Sequence, residues 1–145
     1  MQEDTNYYLW NKGEEFLLPG SKFFKTTEFQ CQCTLKTCKQ QKISKTLLSK
    51  LIKLRTDINE PLHINSAFRC HEHQQELIAQ EVNTVVAKKS SHETGTAVDC
   101  KPTRMKMVDF LKMCEKYFYA IGIAKTFLHV DERNEDSKVK IRWNY

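Results

Sequence analysis

The spacing of apolar and polar positions predicts three helices. Apolar residues at positions 43, 47, 48, 51, 54 and 58 follow one helix face, so this stretch reads as a helix with Ser44 or a nearby Thr as its cap. A second helix is predicted for roughly residues 71–81. A third is predicted from a cap at Thr103 through Tyr119, with an apolar face of Met107, Phe110, Leu111 and Cys114. The first helix has the character of a core scaffold.

Shorter stretches predict strands. Residues 61–67 alternate between apolar and polar side chains, and 96–101, 121–123, 127–131 and 139–143 are further candidates. Residues 84–95 are predicted as a loop that ends at Gly95. Helices before and beside a short antiparallel sheet indicate an α+β fold.

The length and composition predict one domain with a single core. The chain has 145 residues, of which 40% are hydrophobic. Residues 1–20 are predicted as an N-terminal extension that packs on the domain through its aromatic side chains, and residues 21–145 as the domain itself. No apolar run approaches the 18 residues of a transmembrane helix, and the N-terminus lacks the pattern of a signal peptide.

The formal net charge is +5, which suits a nucleic acid, an anionic membrane surface or an anionic cell-wall polymer. Much of the lysine is spread along amphipathic segments, as on a solvated face. No Arg-rich block or interleaved aromatic stripe indicates a nucleic-acid interface. The charge therefore adds little support to any one of these partners.

The strongest chemical signal is the segment from Ser90 to Asp99, read with a later histidine, His129. Alternate side chains share a strand face, so Ala97 and Asp99 point the same way, and Gly95 allows the sharp turn from His92 into the strand. His129 is expected on a neighbouring strand. Two imidazoles and a carboxylate bind zinc and leave one position for water, the arrangement of a hydrolytic centre.

The same period of two places Asp131 on the face of His129 and Glu132 on the opposite face. A carboxylate beside a metal-bound water is suited to taking its proton, so Asp131 is the predicted general base. Glu93, next to His92, is the rival candidate.

Six cysteines leave two alternatives open. An even number of cysteines is compatible with disulfides, whereas the Cys31, Cys33 and Cys38 spacing is compatible with a second metal site. The usual Cys-x2-Cys pairs of a structural zinc site are missing, which favours disulfides or free buried thiols.

The pattern Ser-x-His-x-x-Gly-x-Ala-x-Asp with a later His resembles the M15-type zinc peptidases of peptidoglycan, the D-Ala-D-Ala carboxypeptidases and L-alanyl-D-glutamate peptidases. Residues 21–31 and 64–73 are similar to the family's Phe-x-x-x-Glu-Phe-x-Cys and Ile-Asn-Ser-Gly-Tyr-Arg-Cys-Pro-Glu-His stretches. Residues 129–133, followed by Arg142 and Trp143, are similar to one branch's His-Val-Asp-x-Arg and terminal Arg-Trp. The resemblance covers roughly residues 21–145, and only the first pattern is specific.

This resemblance implies a hedgehog/DD-peptidase-like fold, one Zn²⁺ ion and a peptidoglycan peptide substrate. It implies that Arg69 lines the active site, where a guanidinium suits a peptide carboxylate or an oxyanion. Ser66 and Ser90 become candidate substrate contacts, with ordinary turn hydroxyls as the alternative. Related peptidases often carry an acid three residues before the third ligand, where this chain has Thr126.

The leading hypothesis is a monomeric zinc metallopeptidase, a carboxypeptidase, endopeptidase or endolysin, which acts on the cell wall in the periplasm or outside the cell and is of bacterial or phage origin. A second hypothesis is a non-catalytic zinc-containing module that binds cell wall. A third is a basic nucleic-acid-binding module organised by the cysteines, for which the sequence support is thin.

Overall fold

The computed structural model describes residues 1–80 and 90–145. These residues form four helices and eight strands in two sheets. In chain order they are β1 (Gln2–Glu3), β2 (Tyr7–Asn11), α1 (Thr26–Phe29), β3 (Gln40–Ser44), α2 (Lys45–Ile58), β4 (Leu62–Ser66), α3 (His71–Ala79), β5 (Ala97–Pro102), α4 (Met107–Cys114), β6 (Ala120–Ile123), β7 (Leu128–Asp131) and β8 (Ile141–Asn144). The α+β fold class is confirmed. Residues 84–89 of the predicted loop and residue 81 of the predicted second helix lie outside the described residues.

The larger sheet carries the predicted strands in the order β4-β5-β7-β6-β8. Three of its four pairings are antiparallel, but β8 runs parallel to β6, so the expectation of a purely antiparallel sheet is wrong at this edge. Asp131, the last residue of β7, and Ile141, the first residue of β8, both pair with Ala120, so the connection passes one end of β6 and β8 runs opposite to β7. Strand polarity of this kind depends on the route of a connection, which no local pattern encodes.

Helix α2 is the scaffold that the apolar spacing predicts. Its face of Leu47, Leu48, Leu51, Leu54 and Ile58 is buried in the main core. Ser44 is its N-cap, because the backbone N–H of Leu47 donates to Ser44 Oγ at 3.3 Å. The carboxylate of Glu132 accepts a hydrogen bond from the same Ser44 hydroxyl, while its orientation relative to His129 stays a prediction.

Helix α4 begins at Met107 and ends at Cys114, so it is shorter at both ends than the predicted helix from Thr103 to Tyr119. The carboxylate of Glu60 accepts hydrogen bonds from the backbone N–H groups of residues 103, 104 and 105, which holds this stretch outside the helix. The cap at Thr103 is therefore wrong. A contact from a residue more than forty positions earlier has overridden the local signal.

The first twenty residues take part in the smaller sheet. Strand β2 pairs with β3 along its whole length, and Trp10 and Leu18 are buried in the main core. The division of the chain at residue 20 stays a prediction. None of the helices within the described ranges has both the length and the apolar character of a membrane span.

Candidate metal centre

The pairing of β5 with β7 brings two of the predicted ligands together. Asp99 and His129 are direct partners across these strands. His92 lies in the turn before β5, where Gly95 adopts a φ of 71° that favours glycine. All three side chains are buried, with 3%, 8% and 5% of His92, Asp99 and His129 exposed. Sheet register and one tight turn therefore assemble the group.

The three side chains offer one ligand atom each, and these atoms lie within 4.8 Å of one another. Asp99 Oδ1 lies 3.3 Å from His92 Nε2 and 2.9 Å from His129 Nδ1. Ligands about 2.0–2.2 Å from one tetrahedral ion are separated by roughly this much. The set has the size of a single metal site.

The other nitrogen of each imidazole faces a hydrogen-bond acceptor. His92 Nδ1 lies 2.6 Å from the carbonyl oxygen of Ala67, and His129 Nε2 lies 2.7 Å from Asp131 Oδ2. Carbonyl and carboxylate oxygens only accept, so both partners suit a ring proton on the outer nitrogen, and a metal ion at the inner nitrogens requires that tautomer in both imidazoles. Two lone pairs then face the Asp99 carboxylate, and a cation between them satisfies all three. Metal-ligating histidines are generally oriented in this way, so the residues fit a metal ion.

The electrostatics of the group match this arrangement. Burial lowers the pKa of His92. Burial also acts to lower the pKa of His129, but its bonds to Asp131 and Asp99 outweigh that effect and raise it. Burial opposes ionisation of Asp99, but His129 and His92 beside it hold its pKa well below the usual range. The Asp99 carboxylate is therefore ionised at neutral pH between the two imidazoles.

Arg69 lies at the edge of this group. Its Nη2 is 3.6 Å from Asp99 Oδ2, and its Nη1 donates to Gln74 Oε1 at 3.1 Å. The backbone N–H of Arg69 donates to the carbonyl of His92, so main chain and side chain both tie it to the centre. Its side chain is 18% exposed. A guanidinium that is fixed and still reachable is suited to a carboxylate or carbonyl oxygen of a ligand.

Asp131 is held from several sides. Its Oδ2 accepts from His129 Nε2 and, at 2.8 Å, from Arg133 Nη2, with Ser91 Oγ at 3.4 Å. Its Oδ1 accepts from the backbone N–H of Arg133 at 2.8 Å. Burial opposes ionisation, but the bonds from His129 and Arg133 bring the pKa of Asp131 to about 2. The carboxylate is buried, ionised and directed at the outer nitrogen of His129.

The remaining predicted site residues lie nearby. Ser66 is the partner of Asp99 across β4 and β5. Ser90 Oγ accepts from the backbone N–H of His92 at 3.2 Å, the position of a turn hydroxyl. Glu93 Oε1 lies 3.5 Å from His71 Nδ1. Substrate contact by either serine, and the identity of the general base, stay predictions.

Sequence reasoning missed two parts of the centre. The main-chain carbonyl of Ala67 has no signal in a residue pattern. Trp143 was noted only within a weak terminal motif, yet its ring centroid lies 5.5 Å from that of His129 and 4.6 Å from the guanidinium carbon of Arg133. The backbone of Gly122 makes room for it, since a Cβ there would come within 2.6 Å of the indole.

A family profile described as peptidase M15 matches residues 22–131, which is most of the chain and includes all three candidate ligands. The chain belongs to the peptidase M15 family. The resemblance noted in the sequence is thus confirmed, and membership implies a peptide substrate and dependence on a metal ion. None of the curated proteins compared with the chain matches it.

Proposed function

We propose that this chain is a zinc peptidase that hydrolyses short peptides of bacterial peptidoglycan. The observation that carries the proposal is the convergence of His92 Nε2, Asp99 Oδ1 and His129 Nδ1, with both outer imidazole nitrogens already bonded. Two nitrogens and one oxygen suit zinc and leave a coordination position for water or substrate. A bound zinc ion supplies Lewis acidity and an acidified water. Peptidoglycan is proposed as the substrate because of the sequence resemblance to the peptidoglycan peptidases of this family. The location of the chain outside the cytoplasm is proposed because that is where this substrate lies.

The residues around the ion have separate roles in substrate binding, ligand orientation and proton transfer. Arg69 binds the substrate, because its guanidinium lies at the rim and is fixed by Gln74 and by the backbone of His92. Asp131 holds the proton on His129 Nε2 and so keeps Nδ1 directed at the ion. Glu93 is then the stronger of the two candidates for the base, because the carboxylate of Asp131 is already occupied.

The test is digestion of purified peptidoglycan and of defined stem peptides by the zinc-loaded chain, with products identified by mass spectrometry. The matched pair of variants is His92→Ala, at the centre, and His63→Ala, at an exposed position of β4. We expect new fragments with the original chain and with His63→Ala, and none with His92→Ala. Equal digestion by the His92→Ala variant would overturn the proposal.

A second candidate function is a non-catalytic module that binds cell wall. The occupied carboxylate of Asp131 favours it, as does Thr126 at the position where related peptidases often carry an acid. Intact peptides together with zinc-dependent retention on insoluble peptidoglycan would support this module. Cleavage of any of the stem peptides would exclude it.

A further inference from the structure

Four cysteines lie together outside the centre described above. Cys31, Cys33, Cys38 and Cys70 place their sulfurs within 4.8 Å of one another. The first three follow α1, and Cys70 precedes α3, so a gap of more than thirty residues separates the two parts in sequence. Three of the side chains are buried and the fourth is partly buried. We propose that these four thiolates bind a second zinc ion, with a structural role.

The distances fit an ion rather than disulfides. Cys70 Sγ lies 3.7 Å from Cys31 Sγ and also 3.7 Å from Cys33 Sγ. Four sulfurs bound at about 2.3 Å to one tetrahedral zinc are roughly 3.8 Å apart. A disulfide brings two sulfurs to about 2.05 Å and would single out one partner, whereas Cys70 is equally distant from two.

Each of the four sulfurs also faces one N–H donor. The backbone N–H of Cys70 donates to Cys31 Sγ at 3.3 Å, and that of His73 to Cys70 Sγ at 3.4 Å. Gln41 Nε2 donates to Cys38 Sγ at 3.4 Å, and Lys12 Nζ lies 3.5 Å from Cys33 Sγ. Donors directed at sulfur stabilise thiolates, which are the form that binds metal.

The charge balance is also favourable. Binding releases four thiol protons to solvent and leaves four thiolates with one doubly charged cation, hence a net negative centre. The ammonium of Lys12, which also donates to the carbonyl of Cys33, lies against this charge. Phe68 and Leu35 pack on the sulfurs and reduce solvent access. Closed coordination without a position for water is typical of a structural site.

The position of the cluster indicates which segment of the chain this ion would hold in place. Cys70 is adjacent to Arg69, and the carbonyl of Ala67 bonds His92. The backbone N–H of Phe68 donates to the carbonyl of Phe29, just before the cysteine loop. An ion at the four sulfurs would therefore fix the segment 67–70 that holds both His92 and the rim guanidinium. This inference is independent of the peptidase proposal.

The experiment is metal counting on the full chain by mass spectrometry of the elements, after exchange into metal-free buffer. We expect about two zinc ions for the original chain and about one for His92→Ala. Cys70→Ser is the informative variant, because serine preserves the N-cap of α3 while removing the thiolate. We expect it to lose one zinc, and Cys114→Ala, at a buried thiol of α4, to lose none.

Cobalt substitution identifies the ligands even if the cysteine variants fold poorly. In the His92→Ala background all four cysteines are intact, and cobalt there should give intense sulfur-to-metal charge-transfer absorption. Two results would overturn the proposal. One is a His92→Ala variant without bound metal, and the other is a chain in which alkylation before and after reduction shows these cysteines as disulfides.

Discussion

The carboxylate of Asp131 and the imidazole of His129 form a hydrogen bond of 2.7 Å through Nε2, while Nδ1 of the same ring faces Asp99. This relationship gives Asp131 a measurable task. Asp131→Asn should lower zinc affinity about 10–100-fold, because the group that accepts the proton of His129 Nε2, and so orients His129 toward the ion, becomes a weaker acceptor. Glu93→Gln, the matched change of a neighbouring carboxylate, should leave zinc affinity unchanged and lower kcat by about 10²–10⁴.

Competition with a chromogenic chelator measures the affinities, and stem-peptide hydrolysis at saturating zinc measures kcat. If Asp131 were the base, its variant would retain normal affinity and lose only turnover. That pattern would return the role to Asp131.

The cap of α2 is a second target. Ser44→Ala removes an N-cap bond to Leu47 and the hydroxyl that donates to Glu132. We expect a loss of about 0.5–2 kcal/mol in the free energy of unfolding, measured by urea denaturation. Ser49→Ala, at an exposed position within the same helix, should be neutral or slightly stabilising, because alanine is the better helix former. Equal losses at the two positions would contradict the capping role.

The carboxylate of Glu60 makes stability depend on pH. Its bonds from the backbone N–H groups of Arg104, Met105 and Thr103 lower the pKa of Glu60. A lowered pKa means that the stabilisation is complete above the unfolded value of about 4.3 and is lost as the pH falls through the folded value. Glu60→Gln should therefore be less stable than the original chain at pH 7, and the difference should shrink below about pH 4.

Urea denaturation at a series of pH values measures this difference, with Asp136→Asn at an exposed position as the control. A gap between Glu60→Gln and the original chain that does not change with pH would show that the ionised form is not what stabilises the turn.

The contact between Gly122 and Trp143 predicts a steric effect. A Cβ at position 122 would lie 2.6 Å from indole atoms, so Gly122→Ala must displace the ring. We expect a loss of about 1–3 kcal/mol, the usual cost of overpacking. Combined with Trp143→Leu, the same change should cost less, and a double-mutant cycle in urea measures the coupling. Additive losses would mean that the ring is not the obstacle.

Local signals in the sequence account for the ligand set and for α2. His92, Asp99 and His129 were identifiable because a turn and two strands of regular period place them, and α2 because a long apolar face is periodic. The start of α4 could not be identified from local signals, because it depends on a hydrogen bond to Glu60, which lies in another part of the chain. The cysteine cluster stayed ambiguous for a similar reason, since Cys70 joins the other three only in the fold.

The bond from His92 Nδ1 to the carbonyl of Ala67 has a consequence for mutagenesis. The acceptor belongs to the main chain, and every amino acid at position 67 brings the same oxygen. No substitution of the side chain at this position therefore removes the acceptor itself. Only an altered backbone, such as an ester in place of the amide between residues 67 and 68, would weaken that acceptor. One determinant of the centre therefore cannot be removed by exchanging one standard amino acid for another at position 67.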